Sequence, residues 1–274
     1  APTAGSVILA GVLLKTGVYG LLRFAIPLFP DQAVLAAPVL AVLSIIAIIY
    51  GALTALAQSD MKRLVAYSSV SHMGFIVLGI FAFQVESVTG ASLQMIAHGI
   101  STGGLFLCVG YIYERRHTRE MSQFGGLAHN MKIYATLTMI MVLSSVGLPG
   151  LNGFVGEFMI LIGTYKTNWL WAACATSGVI LAACYMLRMM QKTFFGELKR
   201  EENKVLNDLN LREALTLIVL CVLAFWMGIY PKPFINSLEP SSINIVNKTS
   251  MSSQYLAMPA LDDDVITASH NHNR

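Results

Sequence analysis

Seven apolar stretches, each near the ~20 residues a helix needs to cross the hydrocarbon core of a bilayer, follow one another through this sequence. They cover approximately residues 5–29, 34–57, 62–83, 89–113, 131–165, 169–195 and 211–230. Lipid offers no partner to a backbone N–H or C=O, so each stretch must close its own hydrogen bonds as a helix. Only 12% of the 274 residues are charged, about half the share of a soluble domain, and 55% are hydrophobic. The expected fold is therefore an all-α integral membrane bundle of about seven transmembrane helices. The fifth stretch is too long for one straight span and contains Gly147-Leu148-Pro149-Gly150-Leu151-Asn152-Gly153. Three glycines around a proline read as a helix broken in mid-membrane, whose freed backbone groups must be buried in protein or line a wet cavity. A plain proline kink is the alternative.

Charge is sparse but ordered. Lys62 and Arg63 follow the second stretch, Arg115, Arg116, Arg119 and Lys132 follow the fourth, and Lys192, Lys199, Arg200, Lys204 and Arg212 follow the sixth. The alternate connections hold Asp31, Glu86 and Lys166. By the positive-inside rule, the basic connections face the cytoplasm or the equivalent side of an organelle. The net charge of +3 is too small to suggest a nucleic-acid partner; the partner that composition demands is the lipid bilayer. Cys108, Cys174, Cys184 and Cys221 sit within apolar runs without C-x-x-C spacing and read as packing residues. The opening Ala1-Pro2-Thr3 has neither an initiator methionine nor the basic region of a signal peptide, and reads as the start of a piece of a longer chain. Two regions are drawn: a transmembrane domain over 1–235 and a polar, flexible tail over 236–274, with Asp262-Asp263-Asp264 and two histidines, His270 and His272, near its end.

An ionisable side chain in mid-bilayer costs at least ~2.5–3.5 kcal/mol, so each one needs a reason. Lys15 lies about 15 Å into the first span and His72 about 15 Å past Lys62, at the ~1.5 Å rise of a helix. His98 falls near the same depth in the fourth span, next to Gly99 and Ser101-Thr102-Gly103-Gly104. Glu157 follows the break by one turn, near a helix N-terminus whose dipole favours a carboxylate. It is expected to face the interior, towards His98. Each of the four could be a satisfied structural residue. Four proton-carrying groups at one depth on four spans point instead to a lateral relay across the membrane plane. Arg23 and Arg188 lie near span ends and read as anchors. No phosphate loop, zinc motif or nucleophile constellation is present.

Leu13-Leu14-Lys15-Thr16-Gly17, the run Asp60-Met61-Lys62-Arg63 through Ser71-His72-Met73-Gly74, Met95-Ile96-Ala97-His98-Gly99, Leu148-Pro149-Gly150 and Gly156-Glu157-Phe158 together resemble the antiporter-like membrane subunits of respiratory complex I, NADH:quinone oxidoreductase, over about residues 1–235. The large subunits of Mrp-type sodium/proton antiporters share the pattern. Most members carry Lys in the broken helix; Glu there, as Glu157, marks the branch called subunit M or chain 4. The resemblance implies a 14-helix fold of inverted repeats, of which this chain is similar to the eighth to fourteenth helices. It implies that Lys15, His72, His98 and Glu157 form the proton relay of a translocase subunit that carries no redox chemistry itself. NADH, FMN, iron–sulfur clusters and quinone would then lie on partner subunits, with neighbouring antiporter-like subunits as membrane partners. The implied location is a multi-pass position in a bacterial inner membrane, or alternatively the mitochondrial inner membrane. A subunit of an Mrp-type antiporter or of a related membrane hydrogenase is the alternative reading.

Overall fold

The computed structural model describes residues 2–198 and 200–257, and they are almost wholly helical. Among the described residues, six helices are long and apolar enough to cross a membrane: α1 Thr3–Leu28, α2 Pro30–Leu56, α3 Met61–Phe81, α4 Val85–Arg116, and, further on, Trp169–Thr193 and Leu211–Ile229. Between α4 and that fifth long helix lie two shorter ones, α5 Lys132–Val146 and α6 Asn152–Thr167. At 15 and 16 residues each is about 23 Å long, short of the ~30 Å apolar core. Together they make a seventh crossing, interrupted where the sequence predicts the break. The later long helices are α7 Trp169–Thr193 and α8 Leu211–Ile229, and α9 Lys232–Ala257 ends the described chain.

The 32-residue α4 is the central post, packed against α1, α3, α5, α6, α8 and α9. Its contact with α6 is close because small residues face each other. A Cβ on Gly90 would lie 2.6 Å from Cβ of Met159 and 2.9 Å from the Gly156 carbonyl, so only glycine lets the backbones approach this far. The buried apolar side chains fall into two groups. One gathers Met61, Leu64, Val65, Ile112, Met141, Met186 and Phe194, from the halves of the helices nearest the basic connections. The other gathers Phe75, Ile76, Leu78, Ile80, Val88 and Ile160, from the opposite halves. Along α3, α4 and α6 the residues between these groups are polar: Ser71 and His72, Gln94 and His98, Asn152 and Glu157, all buried. A polar layer is thus sealed by an apolar layer on each side.

The three basic connections meet at one end of the bundle. Met61 N–H donates to the Arg119 carbonyl and Met121 N–H to the Ser59 carbonyl, at 3.0 and 2.9 Å. Gly126 N–H donates to the Phe195 carbonyl at 3.1 Å, and Arg116 Nε to Asn203 Oδ1 at 2.9 Å. Arg115 pairs with Glu213 through both guanidinium ends, at 2.9 and 2.5 Å. At the other end, Lys166 pairs with Glu86, and the Thr167 hydroxyl donates to the Ala82 carbonyl at 2.6 Å.

The flexible tail expected from residue 236 is corrected over its first part: residues 232–257 form α9. This helix packs on α4, α2 and the end of α1, and Ile245 and Val246 join the second apolar group. Its buried line runs through Ser242, Thr249 and Ser252, which composition reads as solvated. Two of these hydroxyls return to their own helix, which lets them be buried: Ser242 donates to the Leu238 carbonyl at 3.2 Å and Thr249 to the Val246 carbonyl at 3.0 Å. The acidic run at 262–264 and His270 and His272 lie outside the described residues.

This arrangement predicts a labelling pattern. Thr118→Cys and Glu202→Cys in the assembled protein should react with an impermeant thiol reagent from one side of sealed vesicles, and Glu86→Cys only from the other. Labelling of positions 118 and 86 from the same side contradicts the fold.

Candidate functional site

The break supplies the site's local architecture. α5 ends at Gly147, whose φ of 82° lies in the left-handed region that suits glycine, and Gly150 follows at 94°. Leu148 N–H reaches back to the Leu143 carbonyl at 3.0 Å, and Leu151 N–H to the Leu148 carbonyl at 3.0 Å. Asn152 ties the two halves together: its Oδ1 accepts from the Ser144 hydroxyl at 2.5 Å, and its Nδ2 donates to the Ala97 carbonyl on α4 at 3.3 Å. Of the carbonyls that the break frees, those of Leu143 and Ser144 accept from the Leu148 and Gly147 N–H groups at 3.0 and 3.3 Å. Glu157 stands five residues beyond Asn152 on α6, 5% exposed.

α1 is irregular as well, with wide π turns at Leu9–Leu13 and Leu21–Ala25 on either side of the segment bearing Lys15. π turns widen the helix and are common at functional positions. Here the Lys15 ammonium reaches back to the Ala10 carbonyl. Its other contact is His98 Nδ1, at 2.7 Å. Lys15 is 9% exposed, and His72 and His98 are 2% exposed each.

The four residues chosen from depth form one contiguous line. Lys15 Nζ meets His98 Nδ1; the His98 and His72 rings stand 5.3 Å apart between centroids, tilted by 52°; and His72 Nδ1 lies 2.9 Å from Glu157 Oε1. Glu157 is corrected in one respect. It meets His72 rather than His98, because α6 approaches α3 at this level while His98 is turned towards α1. The ring nitrogens have mutually consistent roles. With Lys15 charged, His98 Nδ1 accepts, and a neutral His98 carries its proton on Nε2. With Glu157 ionised, His72 Nδ1 donates, leaving Nε2 to accept from the Ser145 hydroxyl at 3.4 Å. His98 Nε2 is buried without a hydrogen-bond partner among the described residues.

Three further side chains complete the site, and the sequence reading passed over them. Gln94 Nε2 donates to Glu157 Oε1 at 2.9 Å. Ser145 faces His72, and Tyr185 on α7 brings a buried hydroxyl into the electrostatic reach of Glu157. Gln94 was findable: it is a polar residue inside an apolar run, one helical turn from His98 and on the same face. Ser145 and Tyr185 carry no such signal, since both types are common in membrane helices. Lys15 also borders a cavity of about 940 Å³, lined by Thr16, Arg23, Ser92, Asn247 and Lys248 among others. Among the described residues, no group of three or more His, Cys, Asp or Glu is placed to hold a metal ion.

Comparison with known proteins places this geometry in context. Residues 1–182 match the family model described as NADH:quinone oxidoreductase/Mrp antiporter, TM. NADH-quinone oxidoreductase subunit M of Rhodobacter capsulatus is 48% identical over 246 residues, covering 90% of this chain and 48% of the relative. A chain of respiratory complex I from Thermus thermophilus superposes with a TM-score of 0.82 at 39% identity, covering 86% of this chain and 50% of that one. A chain of the Mrp complex from Dietzia sp. DQ12-45-1b superposes at 0.81 with 20% identity over 90% of this chain and 54% of that one, a likeness of fold alone. The chain spans about half the length of the curated relatives it matches.

Gly147 ties the break to the acid. A Cβ there would fall 2.8 Å from Glu157 Oε2, on a backbone that L side chains rarely adopt. Gly147→Ala should lower stability by about 1–2 kcal/mol from the backbone alone. Gly147→Asn, which tolerates the left-handed region, should recover part of that while still crowding Glu157. Thermal unfolding of the assembled protein in detergent checks both, and an alanine variant as stable as the parent refutes the assigned geometry.

Proposed function

Because this chain belongs to the family of transmembrane subunits shared by NADH:quinone oxidoreductase and Mrp antiporters, we propose that it works as a proton-translocating membrane subunit of NADH:quinone oxidoreductase, through a relay of Lys15, His98, His72 and Glu157. The observation that carries this reading is the contiguous line from the Lys15 ammonium to the Glu157 carboxylate inside a sealed polar layer. A structural role alone would not require it, since burying a charged pair costs more than apolar packing in the same space.

The proton steps balance. The Lys15 ammonium gives a proton to His98 Nδ1, His98 passes its Nε2 proton to His72 Nε2, and His72 passes its Nδ1 proton to Glu157 Oε1. Lys15 and Glu157 end neutral, and both histidines remain neutral with their tautomers reversed. The gap lies between the two rings, where a small rotation or one bridging water completes the transfer. The reversed tautomers mean that a second proton cannot follow until the rings reset, so the relay carries one proton per cycle. The apolar layers above and below hinder leakage straight across.

In this reading electron transfer from NADH to quinone, with FMN and the iron–sulfur clusters, takes place on partner subunits. This chain works beside neighbouring antiporter-like subunits. Its basic connections face the cytoplasm of a bacterium, across the inner membrane, or the matrix of a mitochondrion. Identity of 48% to a subunit of the quinone oxidoreductase, against 20% to the Mrp chain, favours the former as the host complex.

In the complete complex reconstituted into vesicles, Lys15→Ala and Glu157→Gln should each lower proton translocation by about 10²-fold, the usual scale for losing a proton-transfer group, with assembly intact. Glu157→Asp keeps a titrating group on a shorter arm and should retain much more. Dye-reported proton uptake during NADH oxidation measures this. Equal activity of the Gln and Asp variants, or full pumping by Lys15→Ala, refutes the relay.

A further inference from the structure

Gln94 makes a contact that the relay does not need for carrying protons. Its amide nitrogen donates to Glu157 Oε1 at 2.9 Å, the oxygen that also meets His72 Nδ1 at 2.9 Å. An amide neither gains nor gives up a proton in this range, so Gln94 is not a station. It is 2% exposed, and its own Oε1 is buried without a partner among the described residues. Its position is held from behind. A Cβ on Gly156 would fall 2.6 Å from Gln94 Oε1, 2.9 Å from its Cβ and 3.0 Å from its Cα, so the α6 backbone lies directly against the side chain. Gly156 precedes Glu157 in sequence, so one turn of α6 both clamps the amide and presents the carboxylate to it.

We propose that Gln94 is the positioning residue of the terminal acid: it fixes Oε1 as the oxygen that receives the proton from His72, and it biases Glu157 towards releasing that proton. This rests on the relay reading above. The physical cause is an asymmetry. A donor hydrogen bond to a carboxylate is charge-assisted and about twice as strong as one to the neutral acid, so the amide favours the unloaded state. The amide also holds Oε1 towards His72, leaving Oε2 against Gly147 at the break. Loading and positioning are thus set by one side chain on a different helix from either relay partner.

The test uses Gln94→Met in the complete complex, a side chain of nearly the same length without donor or acceptor. Infrared difference titration follows the Glu157 carboxyl band, identified by its loss in Glu157→Gln. The band should persist to higher pH in Gln94→Met, by about one pH unit, the scale of one hydrogen bond to a charged group. The pH profile of proton translocation should move the same way, with a rate roughly tenfold lower. Gln94→Glu, equal in shape, sets a second carboxyl beside Glu157; the two should share a proton and broaden the titration. An unchanged band and profile in Gln94→Met overturn the proposal, as does a lower rate with an unshifted titration, which marks a packing role. If Gln94→Met does not assemble, Gln94→Asn gives the same readout with the amide drawn back. Glu157→Gln in the same preparations separates the two readings: full pumping there removes the relay itself, whereas its loss beside a normal Gln94→Met removes only the role of Gln94.

Discussion

Everything in this bundle depends on the need to pair each backbone N–H and C=O without help from lipid. That need makes the chain helical, and it makes any interruption of a helix expensive unless protein surrounds it. At the interruption between α5 and α6 the Leu143 and Ser144 carbonyls accept from Leu148 and Gly147 N–H, while the Asn152 side chain ties the Ser144 hydroxyl to the Ala97 carbonyl on α4. Tying the break to α4 also sets how deeply α6 begins. Glu157 therefore enters the polar layer at the level of His72, and Gly147 leaves room for its second oxygen. The structural repair of a broken helix and the placement of a buried acid are one arrangement.

The polar layer is costly in isolation, since desolvated charges gain back their hydration only through close partners. Its members are paired in series: Lys15 with His98, His72 with Glu157, and Gln94 closing the end. Two apolar groups, one towards the basic connections and one towards the other end, keep the local dielectric low and the layer thin. In such surroundings a proton moves between neighbours far more readily than it escapes straight across the layer, because that route crosses packed Leu, Ile, Val and Phe. The glycines at 90 and 156 contribute by letting α4 and α6 touch, which brings the Gln94 side chain within reach of the acid.

α9 shows where compositional reading misleads. The polarity of residues 236–274 suggested a flexible tail, yet a polar sequence can supply a buried helical face when the buried polar groups are hydroxyls that bond back to the same helix. Period carries more information here than polarity: Leu238, Ser242, Ile245, Thr249 and Ser252 recur at spacings of three and four. Neither Ser145 nor Tyr185 was legible in the same way, because a single hydroxyl in an apolar helix has many uses and only its neighbours across the bundle select one.

The sequence by itself determined what depends on one segment at a time. Apolar length settled the spans, Gly147 to Gly153 the interruption, the alternating arginines and lysines which connections share a side, and the isolation of Lys15, His72, His98 and Glu157 in apolar runs their depth. These follow from partition between water and lipid, which acts on each segment almost independently. Only the tertiary structure decided who touches whom. It put Glu157 on His72 and His98 on Lys15, brought in Gln94, and folded the polar end of the chain against α4 and α2. Such pairings depend on how helices rotate and how closely they approach, and those are fixed jointly by small residues and side chains on several helices at once.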